Sequence, residues 1–155
     1  MISQKKEKIF IRSLEEAEKS NMQFQHGCIA TCGGKIIASG FNCHKGRQQN
    51  DLFLNDQCSC HAEINVLKKI YFNNFMKRRK LHKIMKKTTL YVSRKSKTYQ
   101  NVNSAPCEKC MNMIRMFKIK KLIFSQDRKI HEYNSKDFIT EHKTFGDLHL
   151  IEQRK

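Results

Sequence analysis

A single proline, Pro106, punctuates the 155 residues, and no Ser/Gly-rich stretch, low-complexity run or internal repeat interrupts them. Without a linker, and without room for a second large domain, the chain is expected to form one domain over residues 1–155. Long apolar runs are missing too. None approaches the roughly 18 residues needed to span a bilayer, and the opening MISQKKEKIF lacks the apolar core of a secretion signal. The expectation is a soluble, intracellular protein with no membrane partner. Seven cysteines are an odd number without secretory features. A disulfide framework is therefore not expected, and the thiols stay available for metal or for the core.

Acidic residues are scarce, and their distribution is uneven. Fourteen Asp and Glu stand against 31 Lys and Arg, a net charge of +17. From Ile64 through Pro106 there is no acid at all, while twelve residues are basic: Lys68, Lys69, Lys77, Arg78, Arg79, Lys80, Lys83, Lys86, Lys87, Arg94, Lys95 and Lys97. A field of this sign attracts phosphate-bearing partners, nucleotides or nucleic acid, and the segment 68–97 is the natural place for the latter. A solvated basic surface is the alternative.

Patterning predicts an α/β chain. Ile9, Phe10, Ser13, Leu14 and Ala17 recur at helical spacing between about Gln4 and Ser20. Two β-type runs, Gln23 to Thr31 and Lys35 to Phe41, flank Cys32-Gly33-Gly34, a hairpin signature. Residues Asn42 to Gln57 read as a loop of functional length, and His61 to Phe72 as a second helix. The basic stretch 73–87 either continues that helix or is an insertion. Thr89 to Ser93 is β-branched and aromatic. Pro106 is expected in the first turn of a third helix over Cys107 to Phe117. Lys121 to Ser125 and Lys129 to Tyr133 are joined by only Gln126-Asp127-Arg128. That link is too short for a parallel crossover of about a dozen residues, so these strands should be antiparallel. The tail 135–155 is weakly patterned, with one helix near Asp137 to His142 the most it suggests.

Chemistry concentrates in His61-Ala62-Glu63 and, much later, Pro106-Cys107-Glu108-Lys109-Cys110. Cysteines three apart at a helix start direct both sulfurs to one side, where each can hold zinc at about 2.3 Å. The free N–H groups and partial positive charge of a helix N-terminus favour thiolate. His61 adds a nitrogen ligand, which leaves the fourth tetrahedral position open to water, the mark of a catalytic zinc site. Glu63, two residues on, is placed to take a proton from that water without being a ligand. Cys60 or Cys58 could instead complete a four-ligand structural site, although adjacent residues at a helix start point in different directions. The pairing of HxE with PCxxC is the signature of zinc nucleobase deaminases.

Ser59 to Lys68 (SCHAEINVLK) and Ala105 to Ile114 (APCEKCMNMI), with the first helix, the hairpin and Gly40-Phe41-Asn42, resemble the cytidine and deoxycytidylate deaminase superfamily. The resemblance covers residues 1–134. It implies a three-layer α-β-α fold around a five-stranded mixed sheet, and one catalytic zinc held by His61, Cys107 and Cys110 with Glu63 as proton shuttle. It further implies that Asn42 contacts the substrate sugar, that the backbone of Ala62 meets the base edge, and that Phe24 walls the base pocket. His26 either lines the same pocket or faces solvent from its strand. A second metal site among Cys28, Cys32, Cys43 and His44 is not expected, for want of CxxC spacing. HAEIN is closer to the deoxycytidylate branch, whereas the antiparallel final strands resemble the cytidine branch. The spacing from Glu63 to Cys107 is longer than the family norm, with the excess around Met76 to Lys87.

The expected reaction is hydrolytic deamination of cytidine, deoxycytidine or dCMP to the uracil form with release of ammonia. A phosphate would suit Lys45, Arg47 or the basic segment. Two alternatives stay open. One is deamination of single-stranded DNA, RNA or a tRNA loop, for which Tyr71, Phe72, Phe75 and Tyr99 interleave with the lysines. The other is a catalytically silent protein of the same fold that binds nucleic acid. Homo-oligomers are common in the resembled family.

Overall fold

The computed structural model describes residues 2–44, 59–98 and 102–143. Helix α1 (Gln4–Glu18) leads into strands β1 (Gln25–Cys32) and β2 (Lys35–Phe41). A two-residue ladder follows, β3 (Cys43–His44) with β4 (Ser59–Cys60), then α2 (Ala62–Asn74), α3 (Arg78–Lys87) and β5 (Thr88–Lys95). Helix α4 (Glu108–Met116) and strands β6 (Lys121–Gln126) and β7 (Lys129–Asn134) complete the described elements.

The main sheet has five strands in the order β2-β1-β5-β6-β7, and only β5 and β6 run parallel. Both hairpins turn in two residues at positive φ, Gly33 and Gly34 in the first, Asp127 and Arg128 in the second. That geometry matches the twist of antiparallel strands, and it confirms the antiparallel pairing expected of the last two. One face of the sheet is covered by α1, through Ile9 and Phe10 on Ile29, Tyr91 and Ile123. The other face carries the larger core, in which Val66, Leu67 and Ile70 of α2, Leu81 and Met85 of α3 and Met111 and Ile114 of α4 meet Cys28, Ala30, Leu90, Val92, Leu122 and Phe124. The three-layer α-β-α arrangement is the expected one.

Local expectations are refined at four places. Of the two readings of the basic stretch, continuation of α2 does not hold: the chain turns at residues 75–77 and forms a separate helix, α3, whose Leu81 and Met85 are buried while its cations stay outside. The ends of the long loop after Asn42 pair as β3 and β4, and residues 45–58 lie outside the described residues. Pro106 precedes the cap of α4 and does not sit in its first turn, because Cys107 is itself the extended cap residue (φ −73°, ψ 170°). Residues Asp137 to His142 are not helical. Their backbone is engaged elsewhere: Phe138 O accepts from Arg115, His142 O accepts from Glu108 N at 2.9 Å, and Phe138 packs on Phe124 and Tyr133.

The α1 layer depends on one missing side chain. A Cβ at Gly27 would lie 2.0 Å from Ser13 O and 2.6 Å from Ala17 N, so the backbones of β1 and α1 touch there. Gly33→Ala meets no atom within 4 Å and suffers only its positive φ. We therefore expect Gly27→Ala to cost about 3 kcal/mol by displacing α1, against about 1 kcal/mol for Gly33→Ala. Denaturant midpoints of the two variants measure this, and the reverse ranking would contradict the close approach.

Candidate metal and catalytic site

Two helices begin at one point. His61 caps α2 and Cys107 caps α4, both in extended conformation and both without a side-chain capping hydrogen bond. Cap positions ordinarily carry Ser, Thr, Asp or Asn, whose oxygens turn back onto the helix. Here imidazole and thiol turn towards each other. His61 Nδ1 lies 3.2 Å from Cys110 Sγ and 3.5 Å from Cys107 Sγ, and the donor atoms of all three fall within 4.8 Å of one another. Tetrahedral zinc at ordinary bond lengths separates sulfur from nitrogen by about 3.6 Å. The donor set thus fits one zinc ion in both kind and spacing.

The approach to Cys107 is held from beneath. Ser104 Oγ donates to Val92 O at 2.6 Å and accepts from Ser125 N at 2.9 Å, while Ser104 N donates to Ser125 O at 2.9 Å. This buried serine pins the incoming chain to β5 and β6. On the other side Asn65 Nδ2 donates to Phe41 O at 3.0 Å, and Lys69 Nζ to Ser39 O at 2.6 Å, which lashes α2 to β2.

Electrostatics single out two groups. A hydrogen bond from the Cys110 thiol, opposed by burial and reinforced by His61, pulls the Cys107 thiol down to about 4. Glu63, only 4% exposed, is pushed up to about 7 by burial, with His61 opposing and Cys107 adding to the rise. Its carboxyl also hydrogen-bonds to Cys110, so it stands against the three-donor cluster without belonging to it.

Cys60 is buried beside Cys107 and Cys110, with its sulfur directed at His61 O, 3.7 Å away. It is not one of the clustered donors, and Cys58 lies outside the described residues. Among the described residues, Cys28, Cys32, Cys43 and His44 form no metal-binding group. Cys28 is fully buried, its thiol pushed up first by burial and then by the charge of Glu63, which makes it floor rather than ligand.

The expected substrate contacts divide. Ala62 is fully buried behind His61. His26 is half-buried near the cluster: burial, then the charges of Arg94, His61 and His142, lower its pKa to about 4 and keep the ring neutral at physiological pH. The ring is part-buried rather than fully exposed. Phe24 is 45% exposed, with the Arg94 guanidinium 4.8 Å from its ring centre. Asn42 is buried and its amide is committed to the chain, Oδ1 accepting from His26 N at 2.8 Å and Nδ2 donating to Phe24 O at 2.6 Å. In this structure Asn42 holds Phe24 and His26 in place. Lys45, Arg47 and Tyr99 lie outside the described residues.

Two neighbours escaped the sequence reading. Arg94 pairs with His26 across β1 and β5, a register that only the strand pairing reveals. His142 reaches the site because the tail crosses the start of α4, where Lys143 also pairs with Glu108 at 3.8 Å. A tail without periodicity carries no sign of this.

The profile of the cytidine and deoxycytidylate deaminase zinc-binding region matches residues 3–126. Among solved structures, the cytidine deaminase from Burkholderia pseudomallei superposes with a TM-score of 0.58 at 11% identity, over 88% of this chain and 95% of that one. The dCMP deaminase from the cyanophage S-TIM5, in apo form, superposes with a TM-score of 0.53 at 20% identity, over 79% of this chain and 82% of that one. No curated protein matches the sequence. At these identities the structural likeness speaks for the fold alone, but the profile spans most of the chain and contains both halves of the three-donor cluster: the protein belongs to the cytidine and deoxycytidylate deaminase family, with one zinc as its compatible cofactor.

Proposed function

We propose that the protein is a zinc-dependent hydrolase that converts a cytosine-containing nucleoside or nucleotide to its uracil form. The observation that carries this reading is a buried carboxyl, Glu63, set against a His-Cys-Cys donor set that fits zinc but leaves it one ligand short of four. His61, Cys107 and Cys110 would hold the ion, which when bound supplies Lewis-acid activation of water.

The other steps belong to the chain. Glu63, whose pKa lies close to neutrality, accepts a proton from the attacking water and passes it to N3 of the pyrimidine as C4 becomes tetrahedral. The same carboxyl then takes the proton of the new C4 hydroxyl and delivers it to the departing amine, so that the C4–N bond breaks, the C4 carbonyl forms and ammonia leaves. His26, held neutral, and Phe24 form the wall beside the cluster, positioned through Asn42. Burial of Glu63 and Cys28 excludes bulk water from the floor.

A monophosphate is favoured over the free nucleoside by Arg94, which stands over Phe24 and whose charge is felt at His26. A guanidinium at the rim is suited to a phosphate oxygen pair. Neither solved relative decides between the two, since one acts on cytidine and the other on dCMP by name.

Three outcomes are expected. Glu63→Gln retains one zinc per chain by elemental analysis and loses at least about 10³-fold in kcat, within reach of losing a general acid–base group. Turnover within tenfold of the parent would end the assignment. Cys110→Ala fails to retain zinc through gel filtration, and full zinc occupancy in that variant would place the ion elsewhere. Arg94→Gln raises KM for dCMP about tenfold while leaving that for deoxycytidine unchanged, the loss of one charge-assisted contact. Equal effects on both substrates would remove phosphate recognition from Arg94.

A further inference from the structure

The longest acid-free stretch of the chain folds into a surface that the deamination chemistry does not use. Where α2 ends and α3 begins, Phe72 is 56% exposed, Phe75 47% and Met76 82%. The two phenylalanine rings lie 6.4 Å apart, edge to face, and Tyr71 stacks on Phe75 at 6.3 Å. A shallow groove of about 760 Å³ runs from Phe75 and Met76 along Lys77, Arg78, Arg79 and Lys80. Exposed Lys83, Lys86 and Lys87 extend the charge along α3. Among the described residues, no ion pair neutralises any cation between 77 and 87.

From this we infer a binding site for single-stranded nucleic acid on the α2–α3 elbow, with the bases stacking on Phe72 and Phe75 and the phosphates following the cations of α3. Three features point to this ligand. Six unneutralised cations along a helix of ten residues, about 15 Å, with Lys77 at its cap, exceed what a mononucleotide can engage, so the complementary charge belongs to a polymer. Exposed rings at one end of such a stripe supply what unpaired bases stack on and what a duplex, with its bases covered, cannot use. A bilayer is a poorer match. The apolar residues Leu81 and Met85 of α3 are buried in the core, so the helix has no free apolar face to lay into lipid.

The elbow is at the far end of α2 from His61. Thirteen helical residues separate the two by about 20 Å, so the strand would dock beside the reaction centre rather than in it.

Fluorescence anisotropy of the zinc-loaded full chain with labelled, cytosine-free oligo(dT) and oligo(U) tests this without offering the active site a substrate. Both strands should bind, with affinity falling steeply in salt. Arg78→Gln/Arg79→Gln/Lys80→Gln should weaken binding at least tenfold and lower the salt slope by about 2, at roughly 0.7 per charge on a single strand. Lys5→Gln/Lys8→Gln/Arg12→Gln removes the same charge from the exposed face of α1 and should change affinity less than threefold. Phe72→Leu/Phe75→Leu keeps the apolar area but not the rings, and should weaken single strands about tenfold with an unchanged salt slope. None of the three variants should alter turnover of the free nucleotide. An equal loss from the α1 variant would reduce the effect to global charge. Full affinity in the leucine variant would remove stacking. Elbow-dependent binding to phosphatidylserine vesicles without binding to oligonucleotides would replace the strand with a membrane.

Discussion

The convergence of two helix N-termini is the constraint on which the rest depends. Strand β1 is antiparallel to both β2 and β5, so β2 and β5 run in the same direction. Each is followed by a connection and then by a helix, α2 after β2 and α4 after β5. Both helices therefore start at the same edge of the sheet, outside the carboxyl ends of the strands, where open α/β sheets build their sites. Strand β1 runs the other way and begins at that edge, which brings Phe24 and His26 to the cluster although some 35 residues separate them from His61. The parallel β5–β6 pair requires a crossover, and α4 supplies it, carrying Cys107 and Cys110.

How much of this could be read from the residues depends on whether the determinant was local. The Gly33-Gly34 turn, the α1 stripe of Ile9, Phe10, Ser13 and Ala17, and the antiparallel pairing forced by the short link before Lys129 are local, and each formed as expected, the link itself tightening to Asp127 and Arg128. The donor set was legible because spacing within a helix start translates directly into direction. Helix α3 was ambiguous because six exposed lysines and arginines mask a buried pair, Leu81 and Met85, too sparse to establish a period. Arg94 as neighbour of His26, Asn42 as clamp of Phe24, and His142 on α4 are properties of strand register and tail docking, which no short window of sequence contains.

The basic charge is likewise organised by the fold. At the edge that holds the donors, Arg94 is the cation set against site residues. The denser group stands at the other end of α2, on helix α3. Helix α3 is anchored by two buried side chains and otherwise spends its surface on charge, at a self-repulsion that no acidic neighbour from Ile64 to Pro106 offsets.

The site is also a local conflict that a cation would resolve. Cys107 is held towards thiolate, Glu63 is buried with its carboxyl pushed up, and the charge of Cys107 adds to the cost of charging Glu63. Two helix N-termini supply partial positive charge, of order half a unit each, which eases the conflict without removing it. Replacing any of these polar groups by an apolar one would relieve the protein without metal and forfeit the site. The strain is thus concentrated where one divalent ion fits, so that metal binding and folding become linked quantities, and zinc stabilises the native chain by as much as it prefers the assembled donors to the scattered ones.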